Sequence, residues 1–599
     1  MRRISVSVVE PALQPLCFCL NEPVRAGRLV RICADGPSML SSLVISRVSA
    51  DGVAEHAFEM VHRYTRAEME KDWNWYICTR SMAVVRVDRD LPAGSTLVVA
   101  SAYQTGKEEG GSATPVGEVA RFSGITWAMV PVSIPDVRAI EGTMIAEPIG
   151  LALTAGPAVR AEAWLKPDGR VRVNRFDSQG NPVGPAAVVE RGAVKADNAG
   201  RVRVTTPVGD ALTNARPASL DGTPIWFGEF HWHTDFSSDG QRPMADALTS
   251  ARDELGLDFA GPGDHLWAHG SYGSKGPEEQ AAICRGFDEP GRFCTLAGAE
   301  LSRRYGHANL YAVDFDTFIR IVKRFPEELR AEWETQPDRY GLEALTRLCI
   351  SGKSLVIPHH SNMDSFVRER VVHPDGRPFW CALHFPIPAD REIVRLFEMV
   401  QGRGAFESEE TDDAWHIYDG GLGGSARTAL MRGYRMGFVG GTDNHCGWPT
   451  RGHGGQYIGV TAVQAPALDT ASVFRALYAR RCYATSGARI IADMTLNGHP
   501  MGSELVQEPG ARRLFQIAVR GTAPLTHVQL IHFGYVLKDF ELKAGSLDFD
   551  AEWADDRPGR PLEDAWYYLR IRQEDGHCAW LSPVWIDLPG KCAVQDGRE

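Results

Sequence analysis

Between residues 225 and 450 one arrangement recurs: a short apolar or Gly-rich run, then histidines and carboxylates. The clusters are Phe230-His231-Trp232-His233 with Asp239 following, Gly263-Asp264-His265, Glu300 with Gly306-His307, Pro358-His359-His360, and Thr442-Asp443-Asn444-His445. Apolar runs such as Asp258 to Ala260, Leu355 to Ile357 and Gly437 to Val439 read as buried strands. Helix-like stretches lie between them at Met244 to Leu255, Leu342 to Ile350 and Ser425 to Arg435. That alternation predicts an α/β domain with a largely parallel, barrel-like sheet, whose strand ends converge on one place.

Neutral imidazoles mixed with carboxylates are the donor set of divalent transition metals, and there are more of them here than one ion needs. Twelve of the 18 histidines fall between residues 226 and 460. On a strand, residues two apart share a face, so His231 and His233 can share an ion while Trp232 enters the opposite layer. Taken singly each cluster has a plainer reading: Asp239 as a turn residue, Asp264 as a helix N-cap. The ordered recurrence favours a hydrolase with two or three metals.

Other chemistries are absent. No P-loop, G-x-S-x-G elbow or dinucleotide fingerprint is present, and Gly421 to Ser425 lacks the lysine of a phosphate loop. The 12 cysteines contain no C-x-x-C pair, which fits reduced thiols in a cytosolic protein. Glu10, Pro11 and Pro15 interrupt any signal-peptide core, and no run of about 18 apolar residues reads as a membrane span. A net charge of −12 disfavours nucleic acid as a partner but allows a small anionic substrate, because bound cations reverse the local field. A cytoplasmic enzyme with a small-molecule partner is the expectation.

The flanks differ in pattern. Residues 1 to 224 carry short alternating runs, Leu29 to Ile32, Ser42 to Arg47, Ala83 to Val87 and Thr96 to Ala100, and a hairpin signal at Lys166-Pro167-Asp168. They read as one or two β-sandwich-like modules, in which Trp73 and Trp75 are core residues or, alternatively, part of a carbohydrate- or partner-binding face. Residues 491 to 599 are β-rich again, with Asn497-Gly498 as a turn. Within the central unit, 225 to 490, a charged helical insertion at about 315 to 345 reads as a solvated surface helix or as a lid.

The order H-x-H with a following Asp, G-D-H, a lone Glu, G-H, P-H and D-x-H resembles the polymerase and histidinol phosphatase (PHP) superfamily of metallophosphoesterases. Trp226 to His231 and Arg480 to Arg489 resemble a three-domain bacterial branch labelled a domain of unknown function. The resemblance implies a distorted (β/α)7-like barrel with Zn, Mn or Fe at its mouth. It implies one metal on His231, His233, Glu300 and Asp443, and a second on Glu300, His307 and His359. A third would take Asp239, His265 and His445. His360 beside His359 leaves either as ligand, with His359 preferred; His453 is not expected to be one.

The implied reaction is attack by a hydroxide that the cations make available at neutral pH. Glu300 and Asp443 sit at its centre, and His360 or His269 would protonate the leaving group. Arg303, Arg304 and Arg403 would bind substrate oxygens, and Arg403 stands where related proteins tend to carry a histidine. A small phosphodiester or phosphomonoester is the expected substrate; amide, ester or lactone hydrolysis and non-catalytic metal binding are the alternatives.

Overall fold

A computed structural model gives the fold. It describes most of residues 158–589; before these it describes mainly strands between Ser5 and Tyr103 and at Ala152–Thr154. The principal segments outside the described residues are 104–151, 177–182, 190–196, 238–242, 266–275, 336–345, 360–390, 409–423, 445–448, 451–458, 557–564 and 590–599, with residues 304, 305, 402 and 403. Trp73, Trp75, Asp239, His269, Arg304, His360, Arg403, His445 and His453 therefore lie outside them, as does the side chain of Arg303.

The predicted N-terminal strands form. Leu40–Val48 and Thr96–Tyr103 belong to a six-stranded sheet, and Leu29–Asp35 pairs with Arg80–Val87 in a three-stranded one. Leu40–Val48 of the first sheet also approaches Arg80–Val87 and Phe58–Arg63 of the second. Arg160–Leu165 and Val171–Phe176 make the hairpin signalled by Lys166-Pro167-Asp168, with Gly169 at φ 85° closing the turn.

The elements that position the site begin at strand β1, Ile225–Phe230, buried at every residue. Helix α1 (Met244–Thr249) runs into a π-turn at Ser250–Glu254, and strand β2 (Phe259–Gly261), helix α2 (Pro277–Phe287) and strand β3 (Cys294–Thr295) follow. Strands β4 (Gly298–Arg303) and β5 (Gly306–Ala312) lead to helix α3 (Phe315–Thr335), strand β6 (Ser354–His359), strand β7 (Leu396–Gln401) and strand β8 (Gly404–Ala405). Helix α4 (Ala426–Met431), strands β9 (Gly437–Gly440) and β10 (Val460–Gln464), helix α5 (Thr470–Tyr478) and strand β11 (Cys482–Thr485) complete the central region.

The fold is mixed α/β, and its sheet is less parallel than the sequence pattern suggests. β1, β2 and β3 pair in parallel, as do β7 and β9, but β4, β5 and β6 form an antiparallel meander and β10 runs antiparallel to β1. No closed barrel is formed by the described strands. The reason is local: Arg303 and Gly306 pair across a tight connection, which leaves no room for the helical crossover that a parallel neighbour needs.

Helix α3 is amphipathic over its described length, with Asp316, Lys323 and Arg324 exposed on one face. Asp314 caps it, accepting from Thr317 N at 2.6 Å, and Phe318, Ile321, Val322 and Phe325 recur at helical spacing to form a buried stripe. Those side chains pack with Leu310, Phe397 and Phe438 in the largest core cluster. The same core takes in Trp566, Tyr568, Trp580 and Trp585 from the C-terminal region.

The C-terminal strands Leu525–His532 (β12), Ala565–Gln573 (β13) and Cys578–Leu581 (β14) continue the sheet of the central region. Its path is β3-β2-β1-β10-β11-β14-β13-β12 within eleven strands, so β11 and β14 join residues on either side of position 490. Asn497 and Gly498, at φ 51° and 79°, make the tight turn read from their sequence.

Candidate metal centre

The site is built where β1, β4, β5, β6 and the turn after β9 meet. β1 ends at Phe230, and His231 then adopts φ 87°, while Asp443 adopts φ 52°. Non-glycine residues in this left-handed region cost about 1–3 kcal/mol and cluster at functional sites. The two backbones are tied directly, Asp443 N donating to His231 O at 2.7 Å and His233 N to Asn444 O at 2.8 Å. Glycines permit the approach: a Cβ at Gly263 would lie 2.9 Å from His231 Cδ2, and one at Gly441 would collide with Glu398 and the Phe230 carbonyl. His231 and His233 thus converge through a twisted loop rather than along a strand, and Trp232 enters the opposite layer with Trp164, Phe236 and Met244.

Glu300, fully buried on β4, is the centre of the cluster. Its Oε2 lies 3.3 Å from His231 Nε2, 3.1 Å from His233 Nε2 and 3.4 Å from His265 Nδ1. Its Oε1 faces His307 Nδ1 and, at 3.3 Å, His359 Nε2. The β4-β5-β6 meander sets this geometry, since His307 pairs in register with His359 on β6, and Glu300 on β4 pairs with Asn309, two residues along β5. Asp443 Oδ1 is 3.2 Å from His233 Nε2 and 3.4 Å from His231 Nε2.

Two groups of donors result, His231–His233–Glu300–Asp443 and Glu300–His307–His359, each with its ligand atoms within 4.8 Å of one another. Glu300 is common to both. Of the residues read as ligands from the sequence, these six and His265 come together, with His359 supplying a donor. Asp239 and His445 lie outside the described residues, as do His269, His360, Arg304 and Arg403.

The electrostatics are those of a cluster arranged for positive charge. Burial works against charge on His231, but Glu398 and Asp443 outweigh it and raise its pKa well above the ordinary value. Burial is likewise outweighed at His233, whose pKa rises to about 9 beside Asp443 and Glu300. Burial and the neighbouring His231 push His359 down to about 3. Against its own burial, the imidazoles of His265, His359 and His307 hold Glu300 well below the usual carboxylate range. The carboxylates thus favour positive charge at this place, and mixed oxygen and nitrogen donors of this kind suit divalent cations.

A second layer of buried acids surrounds the donors; the sequence reading takes Asp264 only as a helix N-cap and gives Glu229 and Glu398 no role. Glu398 Oε2 receives His231 Nδ1 at 2.7 Å, and Gln401 Nε2 donates to Glu398 Oε1 at 2.8 Å. Asp264 accepts from Thr234 N, Thr234 Oγ1 and Ser237 Oγ, and Ser237 Oγ in turn faces His233 Nδ1 at 3.1 Å. Ser237 gives its one proton to Asp264, so His233 donates from Nδ1, and its Nε2 faces Glu300 and Asp443. Glu229 accepts from Thr442 N at 2.9 Å and holds the turn that carries Asp443. The available signal was position: Glu229 precedes His231 by two residues, and Asp264 adjoins His265.

No family model matches the chain. An uncharacterized protein of Chlamydia muridarum is 34% identical over 219 residues, covering 33% of this chain and 35% of that protein. One from Chlamydia trachomatis is 33% identical over 222 residues, covering 33% and 35%. The chain thus spans about a third of the length of the curated relatives it matches. Among solved structures, a two-domain protein from Bacteroides vulgatus, described as containing a predicted PHP-like metal-dependent phosphoesterase, is 14% identical. It covers 61% of this chain and 96% of its own at a TM-score of 0.30, too low to carry fold or function across.

Proposed function

We propose that this chain is a metal-dependent hydrolase of small phosphate esters, working at a centre of two or three divalent cations. The observation that carries the reading is the pair of buried donor groups sharing Glu300. Divalent cations held by these residues would lower the pKa of water and polarise a phosphoryl oxygen. The chain's own part is to hold Glu300 between the two groups and to keep His231 and His233 with their Nε2 atoms inward. A third cation on His265, Asp239 and His445 belongs to the same proposal, and so do Arg303, Arg304 and Arg403 as anion-binding groups.

The test is metal analysis together with a substrate panel of phosphomonoesters, phosphodiesters, phosphonates, amides and lactones. Two or more Mn or Zn ions per chain and hydrolysis confined to the phosphorus esters are expected. Glu300→Gln keeps side-chain size but removes the shared charge. It should lose metal and turnover by at least a hundredfold, because an uncompensated change in a buried charged group costs about 3–5 kcal/mol. Wild-type turnover with both metals retained in that variant would sink the shared-ligand assignment, and amide or lactone turnover alone would sink the phosphoester one.

A further inference from the structure

Strand β7 carries two buried polar side chains, Glu398 and Gln401, that the proposed chemistry does not use. Three positions apart, they should face opposite sides of a regular strand. The pairing of β7 with β9 slips between Glu398 and Val400, however: Glu398 pairs with Val439 and Val400 with the next residue, Gly440. Met399 is the extra residue of a bulge, and a bulge re-aims the side chains that follow it. Glu398 and Gln401 consequently meet, with Gln401 Nε2 donating to Glu398 Oε1 at 2.8 Å.

The same nitrogen lies 3.4 Å from Asp443 Oδ2. Both neighbours are carboxylates, so the group facing them is the amide's two-proton donor end. On the other side Glu398 Oε2 accepts from His231 Nδ1 at 2.7 Å, which fixes the ring with Nε2 toward Glu300 and Asp443. Asp443 keeps Oδ1 for that same space. The chain of contacts runs His231–Glu398–Gln401–Asp443 and closes on two members of one donor group.

We infer that Glu398 and Gln401 are a positioning bracket for the His231–His233–Glu300–Asp443 group, and that they make it the tighter cation site. The inference rests on the proposed metal centre. Its bracketed group offers Asp443 besides the shared Glu300, with Glu398 one hydrogen bond removed. The Glu300–His307–His359 group offers only the shared Glu300. Partners of this outer kind typically change metal affinity 10–100-fold when removed.

The experiment titrates metal-stripped, full-length protein with Mn2+ by calorimetry, for the wild type, Glu398→Gln and Gln401→Met. Circular dichroism and melting of the metal-free proteins check folding, and two variants are used so that a folding failure in one leaves the other to be read. The wild type should bind in two resolved steps. In the variants the tighter step should weaken about 10–100-fold while the weaker step keeps its affinity. Variants that titrate like the wild type overturn the bracket, and equal weakening of both steps overturns its assignment to one group. A wild type that takes up neither Mn2+ nor Zn2+ overturns the metal centre itself.

Discussion

Glu407 is one contact through which the C-terminal strands hold the central core, and its removal gives a test free of any metal. Its carboxylate accepts from Tyr568 Oη at 2.5 Å, Arg570 Nη1 at 2.9 Å and Trp580 Nε1 at 3.0 Å. The donors come from β13 and β14, whereas Glu407 follows β8, so all three bonds cross between the two regions. Glu407 and Arg570 retain 14% and 18% side-chain exposure, which places their pair near the low end of the range for breaking a buried ion pair, about 3–5 kcal/mol. Glu407→Ala should therefore cost about 3 kcal/mol, and more if Tyr568 and Trp580 find no water. Glu407→Gln keeps one acceptor but turns an NH2 toward a donor, and should cost about 1.5–3 kcal/mol through the lost charge-assisted bond. Denaturant unfolding followed by tryptophan fluorescence reads this directly, because Trp580 is one of the three donors. For a cooperative unit of 150–250 residues the alanine variant should melt about 6–12 °C lower. An alanine variant within about 0.5 kcal/mol of the wild type would refute the reasoning and leave the continuous sheet as what couples the regions.

Burial first, and then the charge of Glu407, raise the Tyr568 hydroxyl well above its ordinary pKa near 10. The folded protein keeps that proton when the unfolded chain has lost it, so this stability is complete below about pH 10 and is lost as pH rises above it. Tyr568→Phe should show a shallower loss of unfolding free energy between pH 9 and 11, and equal slopes would show that Tyr568 titrates alike in both states. Phe325 is fully buried in the α3 stripe, and Phe325→Ala should cost about 3–5 kcal/mol in denaturant unfolding. A cost below 1 kcal/mol would mean that α3 is not packed as described.

Much of the fold was legible because local signals and tertiary outcome agreed. The runs Leu355 to Ile357 and Gly437 to Val439 became the buried strands β6 and β9, and Ser425, a good N-cap, starts α4 by accepting from Thr428 N. Strand direction was not legible. A buried apolar run is equally apolar whether its neighbour is parallel or antiparallel, so the β4-β5-β6 meander reads like part of an alternating α/β unit. The continuation of the central sheet into β14 and β13 was hidden for a related reason. Nothing in Cys482–Thr485 names its partner, and the pairing with Cys578–Leu581 spans almost a hundred residues.

The donors of the site were legible because histidine is scarce elsewhere and costly to bury without a partner, so its recurrence after apolar runs carries information. The acids behind them carry none in isolation. In Leu396-Phe397-Glu398-Met399-Val400-Gln401 the polar positions three apart fit neither a strand with one wet face nor a ligand motif. Only the slip in pairing at Met399 gives them a common face, and only the left-handed turns at His231 and Asp443 bring their targets within reach. The deformations that sequence patterns average away are therefore what arrange this site: a bulge on β7, positive φ at two of the donors, and glycines at 263 and 441 where a Cβ would not fit. A regular sheet with the same residues would hold the same ligands and aim them apart.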